Sequence, residues 1–113
     1  MIILPTGKPR LYIWLDDERR PPPRVPFEWF WVSRVDTVKE LIREGLVCEI
    51  SFDHDLGEDQ PTGYDLAKWI EEGAAQGEIS TIIWEVHSQN PVGAENIRRA
   101  MTAARRTWER TRF

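Results

Sequence analysis

Leu11, Tyr12, Ile13, Trp14 and Leu15 form an unbroken apolar run, and Asp16 and Asp17 follow at once. A strand with one face in water alternates apolar and polar residues. A uniformly apolar run of strand length instead suits a strand covered on both faces, as in the middle of a parallel sheet. Pro21, Pro22, Pro23 and Pro26 then forbid regular structure, so residues 18–27 read as a stiff loop.

Residues 29–33 are aromatic and β-branched and predict a second strand. Thr37 and Glu40 have capping-box spacing ahead of Val38, Leu41 and Ile42, which predicts a helix over 37–44 that ends near Gly45. Residues 48–52 predict a third strand running into Asp53, His54 and Asp55. Residues 56–63 are turn formers, and apolar residues at 66, 67, 70 and 74 predict a helix from Tyr64 to about Ala75. Residues 80–86 predict a fourth strand, in which Glu85 argues for a place at or near a sheet edge. From Gly93 onward, Ile97, Met101, Ala104 and Trp108 share one helical face. The order β, β, α, β, α, β, α implies a three-layer α/β domain with a mainly parallel sheet of about four strands.

At 113 residues, with 41 % hydrophobic and 30 % charged, the chain has the makings of one globular domain over residues 1–113. Such a domain buries about two thirds of its unfolded surface, so a binding site should be a surface cleft. No apolar run approaches the roughly 20 residues that span a bilayer, and no secretion signal is apparent. Cys48 stands alone, which excludes an internal disulfide and leads us to expect a reducing, cytoplasmic setting.

The charge is uneven. Residues 1–97 carry 18 acids against nine Lys or Arg, a net of −9, while residues 98–113 carry six Arg and one Glu, a net of +5. The basic end admits nucleic-acid binding through an Arg-rich helix, or simply a solvated helix face. Of the six Trp, Trp14, Trp69, Trp84 and Trp108 fall in apolar patterns and are expected in the core. Trp29 and Trp31 alternate along a strand, where packing or stacking would use them.

Ligands of open parallel sheets collect beyond the carboxyl ends of the strands. Three predicted strands end there in polar clusters: Asp16 and Asp17; Asp53, His54 and Asp55; and His87, Ser88, Gln89 and Asn90. Converging carboxylates raise one another's pKa values unless a cation is present, and oxygen ligands of this kind suit Mg²⁺ or Mn²⁺. Asp16, Asp17, Asp53 and Asp55 are therefore metal candidates, although Asp also stabilises turns and caps helices. Asp53 beside such an ion could serve as a nucleophile. His54 and His87 are candidates for general acid or base work. Ser88 and Asn90 could orient phosphate oxygens or cap the helix that follows. Thr62 and Gly63 could present a helix N-terminus to an anion or form a turn and cap.

Four segments together carry a family resemblance: Leu15-Asp-Asp-Glu-Arg-Arg-Pro-Pro22, Ser51-Phe-Asp-His-Asp-Leu-Gly57, Thr62-Gly63 and His87-Ser-Gln-Asn-Pro91. They resemble the cyclic-phosphate-processing, receiver-like domains, a divergent group within the response-regulator receiver fold. The resemblance implies a flavodoxin-like or receiver-like sheet, metal held by Asp16 and Asp17 with Asp53, and Ser88 as a phosphate-sensing hydroxyl. The chain departs from true receivers in its Pro-rich first crossover and in lacking a fifth strand and its Lys. It also adds His54, Asp55 and His87, groups that a phospho-switch does not need. The expected function is metal-dependent phosphoester hydrolysis on a nucleotide or RNA terminal or cyclic phosphate. The alternatives are a non-catalytic module that binds a protein partner or sequesters a nucleotide signal, and nucleic-acid binding through the last helix.

Overall fold

The computed structural model describes residues 2–3 and 9–111. Four strands run parallel: β2 (Pro9–Leu15), β3 (Phe30–Val32), β4 (Val47–Phe52) and β5 (Ile83–Val86). β2 pairs with β3 on one side and β4 on the other, and β5 pairs with β4. A short β1 (Ile2–Ile3) adds an antiparallel pairing to the first residues of β2, which the sequence reading did not include. As Glu85 suggested, β5 lies at an edge, with no strand on its outer side among the described residues.

The helices are α1 (Val35–Arg43), α2 (Gly63–Ala75) and α3 (Pro91–Arg110). α1 begins two residues earlier than the capping-box spacing indicates. Its N-cap is Arg34, whose side chain makes no cap bond, so the Thr37/Glu40 spacing is not used as a start signal. The box instead forms at α2, where the Thr62 hydroxyl accepts from the Asp65 amide at 3.1 Å and the Asp65 carboxylate accepts from the Thr62 amide at 2.8 Å. α3 opens with Pro91 in its first turn, behind an Asn90 cap that accepts from the Gly93 amide at 2.9 Å.

α1 and α2 bury their apolar residues in one core with β2 and β4, and α3 packs along α2. The register sets Ile13 beside Ile50 and Leu15 beside Phe52 on the sheet face toward that core. There they bury completely against Val38, Leu66, Ile70, Ile97 and Met101. Each such side chain contributes about 1.5–3 kcal/mol, so this face holds most of the stabilising burial.

On the opposite face the register sets Tyr12 beside Glu49 and Trp14 beside Ser51. The outer layer here is the Pro-rich loop, not a helix. Phe27 stacks on Tyr12 with ring centroids 5.6 Å apart, and Trp29 tilts against Trp14 at 5.7 Å. The Arg24 guanidinium lies 4.3 Å from the Tyr12 ring centroid and pairs with Glu49 at 3.2 Å. Trp14 and Trp108 are core residues, as expected, whereas Trp69 and Trp84 only pack, partly buried, against the core. Trp31 stays 44 % exposed.

On α3, Arg98 and Arg99 both pair with Glu95, and Arg105 pairs with Glu109. Part of the basic excess is thus spread in exposed pairs within the helix. Cys48 is a buried free thiol, and among the described residues no helix is long and apolar enough to cross a membrane.

Candidate functional site

The parallel ladder continues one residue past the strands and thereby sets the site. The Asp16 amide donates to the Val32 carbonyl at 3.1 Å, and the Asp53 amide donates to the Leu15 carbonyl at 3.0 Å. The His87 amide donates to the Phe52 carbonyl at 2.9 Å. Three chain reversals begin side by side, and their polar sequels gather around a cleft of about 600 Å³. The β2 sequel contributes Asp16, Asp17, Glu18 and Arg19; the β4 sequel contributes Asp53, Asp55, Gly57 and Glu58; the β5 sequel contributes Ser88, Gln89 and Asn90.

One carboxylate oxygen from each of Asp16, Asp17 and Asp53 lies within 4.8 Å of the other two. The donor set is all oxygen, and among the described residues no Lys or Arg pairs with any of the three. Three anionic oxygens without a side-chain counter-ion have the chemistry of a hard-cation site. Asp55 lines the same cleft but stands apart from the triad. Its Oδ2 accepts from Asn90 Nδ2 at 3.2 Å, which ties the β4 loop to the start of α3.

Asp16 is almost fully buried. Burial pushes its pKa up, but hydrogen bonds from the Arg19 and Glu18 amides, at 2.6 and 2.8 Å, and from His87 more than offset that. The carboxyl is held below its ordinary range. For Asp53 the balance falls the other way. Burial dominates and the nearby Asp16 charge adds to it, against hydrogen bonds from the His54 amide and Ser88, so its pKa is raised. Two neighbouring carboxylates with opposite shifts mark a pair whose second charge is the costly one.

The two histidines separate. His87 Nε2 lies 3.0 Å from Asp16 Oδ2, its Nδ1 lies 2.8 Å from Ser51 Oγ, and its ring stacks on Trp14 with centroids 3.7 Å apart. Burial lowers its pKa despite the Asp16 carboxylate, which favours the neutral ring. Both nitrogens are thus engaged by the protein, and the ring stands behind Asp16 rather than in the cleft lining. His54 lies against α3, where Gly93 leaves room for it: a Cβ at Gly93 would come within 2.3 Å of the ring. Its Nδ1 is buried with no hydrogen-bond partner among the described residues, and its Nε2 is 4.0 Å from Asp55 Oδ1.

Thr62 and Gly63 sit behind the cleft. Thr62 caps α2, and the Gly63 amide donates to the His54 carbonyl at 2.9 Å. A Cβ at Gly63 would fall 1.9 Å from the Asp53 carbonyl oxygen, so only glycine lets α2 approach the end of β4. Ser88 and Asn90 reach the cleft, and both also brace it: Ser88 Oγ accepts from the Asn90 amide at 3.1 Å.

Four contributors escaped the sequence reading: Ser51, Trp14, Trp31 and Arg19. Trp31 Nε1 donates to the Asp16 carbonyl at 2.8 Å, and Trp14 Nε1 donates to the Arg19 carbonyl at 2.9 Å. The available signal was Ser51, a small hydroxyl set among apolar residues of β4.

A family model described as Cyclic-phosphate processing Receiver domain matches residues 11–103. No curated protein and no solved structure matches the chain.

Proposed function

The chain belongs to the cyclic-phosphate processing receiver domain family, and from that premise we propose that its acidic cleft binds Mg²⁺ or Mn²⁺ and hydrolyses a terminal or cyclic phosphoester of a nucleotide or RNA end. The observation that carries this reading is the convergence of Asp16, Asp17 and Asp53 oxygens within 4.8 Å. A divalent ion held by these three would neutralise their mutual repulsion and polarise a phosphoryl oxygen.

The chain's own groups take the remaining roles. Ser88 and Asn90 orient the phosphate from the β5 side of the cleft. Asp53, with its raised pKa, is the carboxylate most easily shared between a proton and a metal. His87 has no ring nitrogen to spare and does not line the cleft, so proton transfer falls to Asp55, which does line it, with His54 Nε2 behind it at 4.0 Å from Oδ1.

The test is turnover of a panel of 2′,3′-cyclic nucleotides and terminally phosphorylated nucleotides with Mg²⁺, Mn²⁺ or EDTA. Hydrolysis should require the ion and should vanish in Asp53→Ala. Ion-dependent nucleotide binding without turnover under any condition would replace hydrolysis with a non-catalytic, signal-binding module.

A further inference from the structure

Six of the eleven residues lining the cleft are acids, and Arg19 is its single base. An arginine among six carboxylates would ordinarily be drawn into an ion pair. Arg19 pairs with none of them among the described residues. Its Nη1 instead donates to the His87 carbonyl at 3.3 Å, one residue before Ser88. A guanidinium has five N–H donors, so this single bond leaves four for a ligand.

The backbone beneath the side chain is fixed on both sides. The Arg19 amide donates to Asp16 Oδ1 at 2.6 Å, and its carbonyl accepts from Trp14 Nε1 at 2.9 Å. The carboxylate that anchors Arg19 is therefore the same one that joins the metal triad. Through Asp16 the fold couples the position of a cation at the rim to the position of the metal candidates.

We propose that Arg19 is the phosphate-recognising side chain of this cleft, gripping non-bridging oxygens of a phosphate ester beside the metal. The inference rests on the reading of the cleft as a metal and phosphate site, and it adds a specificity-determining residue to it. A phosphate brings negative charge into a strongly acidic cleft, and a divalent ion alone leaves the excess of carboxylates unbalanced. Arg19 supplies a permanent positive charge and a planar fork that matches two phosphoryl oxygens. The preferred ligand is a phosphate ester with at least two free oxygens on one face, as both terminal and cyclic phosphates have.

The test uses the full chain at fixed ionic strength and titrates Mn²⁺ alone, then inorganic phosphate at saturating Mn²⁺, by calorimetry. Arg19 is exposed, so Arg19→Gln and Arg19→Lys should fold, which thermal melting verifies. In Arg19→Gln, Mn²⁺ affinity should be kept or rise slightly, while phosphate affinity should fall about tenfold or more. Arg19→Lys should recover part of it. Unchanged phosphate affinity in Arg19→Gln overturns the role of Arg19 alone. A wild type that takes up no Mn²⁺ overturns the metal reading beneath it, and one that takes Mn²⁺ but no phosphate overturns both the phosphate reading and the proposal.

Discussion

His87 Nε2 stands 3.0 Å from Oδ2 of Asp16, the carboxylate that gathers with those of Asp17 and Asp53. Because burial favours the neutral ring, Nε2 carries the proton and donates to Asp16, while Nδ1 accepts from the Ser51 hydroxyl. Ser51 is itself fully buried, and Trp14 covers the ring. The result is a chain from the interior of the sheet to a metal candidate, each link fixing the next.

That chain makes His87 a positioning residue. His87→Ala should weaken Mn²⁺ binding by roughly 10- to 100-fold, the usual cost of losing a partner behind a metal ligand. His87→Gln, which can still offer an N–H near the Nε2 position, should retain more affinity. Isothermal titration with Mn²⁺ distinguishes this from direct chemistry. If His87→Ala binds Mn²⁺ like the wild type yet has lost turnover, the ring acts on substrate instead.

Gly63→Ala should damage both the fold and the site. The new methyl would overlap the Asp53 carbonyl, so α2 or the end of β4 must move. Urea unfolding should record a loss of about 1–3 kcal/mol, the usual cost of overpacking. Mn²⁺ affinity should fall with it. Gly93→Ala strikes the His54 ring instead and should spare Mn²⁺ affinity, because His54 lies outside the triad.

These glycines also show what a sequence can and cannot convey. The parallel sheet was legible because Ile13, Leu15, Ile50 and Phe52 must be hidden, and uniform apolar runs say so directly. The acidic triad was legible because strand ends of such a sheet are neighbours, which turns Asp16 and Asp53 into one cluster without any knowledge of distances. Pairwise commitments were not legible. His54 and His87 look alike in the sequence, yet His87 has both nitrogens bonded and His54 has a buried nitrogen with no partner among the described residues. Thr62–Gly63 reads more readily as a turn and cap than as an anion cradle, and Thr62 is the cap of α2, but only the approach of α2 to Asp53 gives the glycine its reason. The start of α1 was missed because burial of Val35 and Val38 sets it, without help from a side-chain cap.

Metal binding should depend on pH through Asp53. Its folded pKa is raised by burial first and by the Asp16 charge second, so protons compete with metal above the ordinary carboxylate range. Mn²⁺ affinity should rise with pH across that window and level off once Asp53 is ionised. The apo protein runs in the opposite direction. A carboxyl with a raised folded pKa favours the folded state at low pH, and that contribution is lost as pH rises from its unfolded toward its folded value. At neutral pH, apo Asp53→Asn should therefore melt above the apo wild type. Metal at 100 times its dissociation constant should add about 2.7 kcal/mol to the wild type and little to the variant. Equal metal stabilisation of the two in thermal melts would remove Asp53 from the ligand set.

Arg24 should be the residue that keeps the Pro-rich loop on the sheet. Its guanidinium lies 4.3 Å from the Tyr12 ring centroid and 4.9 Å from that of Trp29, donates to the Phe27 carbonyl at 3.0 Å, and meets Glu49 at 3.2 Å. Burial raises the pKa of Glu49, Arg24 opposes that, and Glu85 adds to it. Removing Arg24 therefore leaves a half-buried carboxylate facing another acid without compensation. Arg24→Ala should cost about 1–3 kcal/mol at pH 7, from lost cation–π contacts together with the stranded Glu49. Glu49→Gln in the same chain should restore part of that loss, because the neutral amide carries no charge into the partly buried layer. At pH 4, where Glu49 is largely protonated, the cost of Arg24→Ala should shrink, since only the ring contacts and the Phe27 bond remain to be lost. Urea unfolding of the two single variants and the double variant at both pH values separates the contributions. A cost that is the same at pH 4 and pH 7, with no rescue by Glu49→Gln, would mean that the rings alone hold the loop.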